Sequence, residues 1–312
     1  MIYQLISGKS GLVSFFLSAI YFFFSVYCFF QVDSINYLFE SQILHIIVQQ
    51  LLAVGCAFIA NRLLLQHKLL SIGDYSLFFM LFIVLSSLSI SMENTRVLIG
   101  LLLVVVLIGR VKSVFNQQNA MVVEFEIGSL AALAYLAHPI FVFVLPYALI
   151  SILITKANDW RDYLAVITGF GFIILMKASY FVFADRITAI PKILALTFKL
   201  KSFEFVRIID WVLVIVALLL GLFTINYNLK ISDKMNIKIR IYYKLWLSLF
   251  VFMFAPFLLV YNDLGPIQIA LFLAFPLLIL IQPFLLKKKK GYVNNVFLVL
   301  LIVYCVTASI IQ

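Results

Sequence analysis

Apolar runs of close to 20 residues recur along almost the whole chain, with only short polar loops between them. A helix needs about 20 apolar residues, rising 1.5 Å each, to cross the hydrocarbon core of a bilayer. Measured against that length, residues 12–30, 43–60, 75–90 and 97–108 read as the first four spans, the fourth of them short. A long run over 122–155 follows, interrupted at His138-Pro139. Residues 163–184, 208–227, 245–262, 267–286 and 292–311 complete the series. Proline pushes the residue before it out of the α region, so the helix is expected to stop at His138 and the long run to form spans five and six. The rival reading is one kinked helix, since proline kinks are tolerated in membranes.

Composition supports the bilayer as the solvent. The chain is 65% hydrophobic and 12% charged, with 32 Phe and 15 Tyr, and its mean hydropathy is +1.16. A soluble chain is about half apolar and a quarter charged, and no soluble core could use this much apolar surface. The expected fold is therefore all-α: a polytopic transmembrane helix bundle of about 11 spans, forming a single integral membrane domain over residues 1–312. The first run has no small-residue cleavage site after it and reads as a retained span. Cys28, Cys56 and Cys305 lie inside apolar runs and read as small buried hydrophobes. No Cys-x-x-Cys occurs, and three histidines are too few for a histidine-rich metal centre, so no metal and no cofactor is expected.

The net charge of +10 does not indicate nucleic acid, because the cations sit in short loops between spans and carry topology information. With the N-terminus cytoplasmic, sixteen Lys and Arg fall on the inner side, including the run 287–290, and six on the outer side. Merging spans five and six would invert every later loop and place 287–290 outside. One outer loop breaks the rule. Residues 185–207 carry Arg186, Lys192, Lys199, Lys201 and Arg207 against Asp185 and Glu204. Within it, 189–205 has apolar residues at helical spacing and reads as an amphipathic helix on the outer membrane surface.

The stretch 93–139 holds the leading candidates. In this topology Arg96 and His138 end up at the same face, joined by two short spans. Arg96 has three readings: a cation reaching to lipid headgroups, a guanidinium fork for a phosphate, or a local ion pair with Glu93. His138 sits in an apolar run without a cationic neighbour. It is either a helix-end hydrogen-bonding group or a proton-exchanging side chain. Lys177 either reaches out of its span or carries positive charge into a cavity. The basic outer loop either attaches to anionic headgroups, at about 1 kcal/mol per cation, or captures a polyanionic lipid-linked substrate. Asp263, ahead of Gly265-Pro266, is a turn residue or a base. There is no phosphate-binding Gly-x-x-x-x-Gly-Lys loop, which excludes an ATP motor of that class. No paired broken helices are evident, which weakens a transporter reading.

The segment Thr95-Arg96-Val97-Leu98-Ile99-Gly100, followed by an apolar span, a basic loop and Ala134-Tyr135-Leu136-Ala137-His138-Pro139-Ile140, resembles the central motif of O-antigen and exopolysaccharide polymerases of the Wzy/EpsG type. The likeness covers residues 93–150. It departs from the family pattern at Val97, where glutamine is usual, and at Pro139-Ile140-Phe141, where a small hydroxyl-bearing turn is usual. Over its full length the chain looks like a family of bacterial polytopic membrane proteins that share its hydropathy, a likeness that brings no activity with it. The polymerase resemblance implies glycosyl transfer between undecaprenyl-diphosphate-linked glycans at the outer face of the bacterial inner membrane. It implies Arg96, Lys177, Arg186, Lys192 and Arg207 as substrate-binding cations, and His138 or Asp263 beside the acceptor hydroxyl. The alternative is a non-catalytic scaffold or accessory subunit of envelope assembly. The partners expected are membrane lipid, the lipid-linked glycan and other envelope-assembly proteins, with no nucleic acid.

Overall fold

In the computed structural model the described residues are 18–23, 42–67, 69–70, 75–86, 92–114, 120–155, 159–186, 237–259 and 275–281, and among them every regular element is helical. The principal helices are α1 (Gln42–Gln66), α2 (Ser76–Ser86), α3 (Met92–Val114), α4 (Met121–Ala137), α5 (Val144–Thr155), α6 (Trp160–Phe183) and α7 (Ile237–Leu259). A 3-10 helix, Pro139–Phe143, joins α4 to α5. Residues 18–23 and 275–281 are also helical. Among the described residues three helices are long and apolar enough to cross a membrane: Ile43–Gln66, Asn94–Val114 and Trp160–Phe183. With the composition, they mark a membrane protein. Spans eight and eleven and the amphipathic segment 189–205 lie outside the described residues.

Two boundaries test the sequence reading. The fourth span is not short: α3 has 23 residues, about 35 Å at 1.5 Å each. Its apolar part is flanked by Met92–Arg96 and Arg110–Val114, which hold no proline and continue the helix at both ends. The expected stop at His138 is observed. α4 ends at Ala137, and His138 is extended at φ −153° and ψ 132°.

The described residues fall into two compact units, within Met1–Leu98, Phe205–Trp246 and Gly265–Gln312 for the first, and within Ile99–Glu204 and Leu247–Leu264 for the second. In the first unit α1 packs on α2. Every residue of α2 is buried, including Ser76 and Ser86 at its ends, as suits a helix apolar all round. Ser86 Oγ satisfies itself on Ile83 O at 3.1 Å.

In the second unit α4 packs most extensively on α6, and glycines set the approach. A Cβ on Gly128 would run into the carbonyl oxygen of Val166, and one on Gly169 into that of Phe125. Two backbones can come this close only where side chains are absent. Ser129 Oγ bridges the same crossing, donating to Phe125 O at 2.9 Å and reaching Gly169 O at 3.3 Å. Asp159 caps α6 by accepting from the Arg161 amide at 3.2 Å. At the other end Asp185 takes the left-handed conformation, φ 54°, which a helix end commonly reserves for glycine or asparagine.

Within this unit α3 and α4 run antiparallel. A Cβ on Gly100 would strike the ring of Phe141, whereas ten residues further along α3 Arg110 Nε lies 3.3 Å from Glu126 Oε2. The His138 end of α4 therefore lies beside the Gly100 end of α3. The basic end of α3 lies beside the start of α4.

Candidate functional site

His45, Gln49 and Cys56 sit at positions i, i+4 and i+11 of α1, within about 40° of one another around the helix. All three are fully buried. This stripe faces α3. Thr95 Oγ1 lies 3.1 Å from His45 Nε2 and 3.3 Å from Gln49 Oε1, and Cys56 Sγ is 3.6 Å from Leu98 O. A hydroxyl carries one proton. With Thr95 donating to the Gln49 oxygen, its own oxygen accepts from His45, which places the His45 proton on Nε2. Gln50 turns to α2 and donates to Ser86 O at 3.5 Å. Asn94, beside Thr95, is buried as well.

Polar side chains at bilayer depth are costly unless bonded. Here they are concentrated at the start of α3, where the sequence reading placed its key cation. Thr95 is buried, and the next residue, Arg96, is exposed. Successive residues of a helix lie about 100° apart, so a hub locked on one side holds the guanidinium out on another. No carboxylate among the described residues pairs with Arg96. The local ion-pair reading falls on the Glu93 side chain, which lies outside the described residues.

His138 stands in the second unit, half-buried, at the junction of α4 and the 3-10 helix. Its amide donates to Ala134 O at 3.1 Å, closing α4. Its carbonyl accepts from Phe141 N at 3.1 Å, and its Nδ1 accepts from Ile140 N at 3.2 Å. Pro139 has no N–H to offer. The ring thus caps the helix that follows. Lys177 is half-buried on α6, and Arg186 is exposed just past that helix, its amide bonded to Phe181 O at 2.8 Å. Lys192, Arg207 and Asp263 lie outside the described residues. Of the sequence candidates, Arg96 belongs to the first unit and His138, Lys177 and Arg186 to the second.

Sequence reading missed the partners of Thr95. Neither His45 nor Gln49 stood out beside Arg96 and His138. The available signal was their i, i+4 spacing on a run otherwise apolar, with Cys56 on the same stripe. Among the described residues no group of three or more His, Cys, Asp and Glu side chains could hold a metal ion.

A family profile matches residues 1–311, that of the Family of unknown function (DUF6427). No curated protein and no solved structure matches the chain.

Proposed function

The chain belongs to this family of unknown function, and from its own residues we propose that it binds an undecaprenyl-diphosphate-linked glycan at the outer face of the bacterial inner membrane and acts on it as a polymerase-like glycosyl transfer protein. The observation that carries the reading is the exposed Arg96 beside the buried Thr95 hub. A guanidinium offers a rigid fork of donors that matches a phosphate. The proposal includes the topology with about 11 crossings and a cytoplasmic N-terminus, derived from the sixteen inner against six outer cations. It also carries Lys177, Arg186, Lys192 and Arg207 as further cations toward the diphosphate.

Arg96→Ala should abolish long glycan chains while leaving the amount of membrane-inserted protein unchanged. Arg96→Lys should restore them only in part, because an ammonium cannot make the bidentate contact. Unaltered chain-length profiles in Arg96→Ala would remove the proposal. Mass spectrometry of lipid retained by the purified protein should find polyprenyl diphosphate, reduced in the Arg96→Ala variant.

One observation favours a second reading, a non-catalytic scaffold of envelope assembly. Trp160, Leu175, Tyr180 and Phe183 on α6 are all strongly exposed, Phe183 at 88%. Acyl chains would cover such a face, and so would a partner protein. A scaffold should co-purify with a stoichiometric partner; an enzyme should come out mainly with lipid.

A further inference from the structure

We infer that bilayer acyl chains, and not a partner protein, cover the exposed stripe of α6, with the bilayer midplane near Gly171. This goes beyond the glycan reading and does not depend on it. Among the described residues α6 is the least buried of the three spanning helices. Of its 18-residue apolar stretch 11% is buried, against 44% in Ile43–Gln66 and 56% in Asn94–Val114. The exposure is not scattered. Leu164, Thr168, Phe172, Leu175 and Ser179 are all exposed and follow one another at steps of three or four residues, so they form one continuous stripe along the helix.

The other side of the same helix shows what a protein contact looks like here. Toward α4, a Cβ on Gly169 would meet the carbonyl of Phe125, and the Ser129 hydroxyl reaches across to Gly169 O at 3.3 Å. Small residues and hydrogen bonds between helices are the means by which helices associate in lipid. The stripe shows neither. Its apolar members are bulky, and a Cβ on Gly171, beside them, would meet nothing within 4 Å. Its two hydroxyls turn inward: Thr168 Oγ1 donates to Leu164 O at 2.6 Å, and Ser179 Oγ to Leu175 O at 2.9 Å. A hydroxyl has one proton, and both are spent within the helix, as hydrocarbon demands of any polar group that faces it. The charged residues of this region, Asp162 and Lys177, lie off the stripe, the first buried and the second half-buried.

The ends of the stripe fit the same occupant. Trp160 and Tyr180, both strongly exposed, stand 20 residues apart on α6. At 1.5 Å per residue that is about 30 Å, the thickness of the hydrocarbon core. Rings with an apolar body and a polar tip gather at the two membrane–water boundaries. At one end the Arg161 guanidinium lies 5.9 Å over the Trp160 ring, and past the other Arg186 is exposed. Cations therefore flank the stripe at the level of the headgroups. Midway between Trp160 and Tyr180 the helix passes Phe170 and Gly171, which sets the midplane.

The test uses the unmodified full-length protein in vesicles of phosphatidylethanolamine and phosphatidylglycerol, with a phospholipid that carries a diazirine at the end of one acyl chain. Chain ends sit at the bilayer midplane. After irradiation and digestion, mass spectrometry should find the lipid tag on the stripe, centred near Gly171 and falling away toward Trp160 and Tyr180. A stripe left untagged would overturn the acyl-chain cover, and tags centred on either end would overturn the midplane. A second measurement identifies the neighbour directly in cell membranes. Benzoylphenylalanine replaces Gly171, where the added Cβ has open space and the fold has no reason to fail. Its crosslinks should shift the protein by the mass of one phospholipid. A crosslink to another protein, to a second copy of this chain or to residues 208–227 would overturn the inference. The glycan reading fails on a different result, unaltered chain lengths in Arg96→Ala, so the two are separable.

Discussion

The two compact units hold their helices together by opposite means. In the first, α1, α2 and α3 are tied by polar groups: Thr95 to His45 and Gln49, Gln50 to the end of α2, Cys56 to the α3 backbone. In the second, α4 and α6 are brought so close at Gly128 and Gly169 that a single methyl group would meet a carbonyl. In lipid there is no hydrophobic drive between helices, so packing and interhelical hydrogen bonds must supply the association. Each unit has taken one of the two routes. The polar route leaves side chains that can also do chemistry or hold a cation in place. The glycine route yields a close helix pair at the crossing itself. On this comparison the buried polar groups gather near the start of α3, and the tightest backbone contact lies between α4 and α6.

The sharpest way to break the comparison is to fill the crossing. Gly128→Leu puts a branched side chain against the Val166 carbonyl, which is backbone and cannot swing aside. Overfilling a tight contact costs about 1–3 kcal/mol and occasionally more. Here the upper end or beyond is expected. Thermal unfolding of the purified protein in detergent should show the largest drop of the series, and an unchanged midpoint would mean that the close approach contributes nothing.

Thr95→Val tests the other unit. It keeps the shape and removes the hydroxyl, so His45 and Gln49 both lose the partner they share. Leaving buried polar groups unpaired costs about 1–3 kcal/mol, with membrane cases toward the low end. Thr95→Ser restores the hydroxyl and should recover most of the loss, less about 0.8 kcal/mol for the missing methyl. If valine is tolerated as well as serine, the hydrogen bonds do not hold α1 to α3.

These two variants also show what could be read from the sequence. The helical class, the membrane and the stop at His138 followed from run lengths and from Pro139, because burial in lipid and the proline ring act locally. The length of α3 did not follow. Apolar content marks where lipid begins, but a helix continues through Arg110 and Lys112 as readily as through Leu, since both are good helix formers. The Thr95 hub was half legible. Arg96 drew attention as a charge, but a threonine bonding to a histidine 50 positions earlier depends on how two helices dock, and one sequence does not state that. The glycine crossing was illegible for the same reason: Gly128 and Gly169 meet carbonyls and Gly171 meets nothing, and nothing local distinguishes them.

Gly100 sharpens the contrast within the second unit. A methyl there meets the Phe141 ring rather than backbone, and a ring can turn. Gly100→Ala also gains helix propensity, about 1 kcal/mol in α3. The two effects oppose each other, and the net change is expected to stay within about 1 kcal/mol. A loss as large as that of Gly128→Leu would show that Phe141 is pinned, and that the 3-10 segment after His138 is as rigid as the α4–α6 crossing.

The smallest effect belongs to the ion pair. Arg110 and Glu126 join the basic end of α3 to the start of α4 at 3.3 Å, but their side chains are 52% and 40% exposed. Pairs open to water contribute about 0.2–1 kcal/mol, because solvent screens the attraction and two long side chains give up freedom to meet. Glu126→Gln keeps the volume and removes the charge, so its cost should fall in that range at low salt and vanish as ionic strength rises past about 1 M, where the screening length is near 3 Å. Unfolding midpoints of parent and variant, measured across a salt series, should converge. A difference that persists at high salt would mean that Glu126 acts through something other than Arg110.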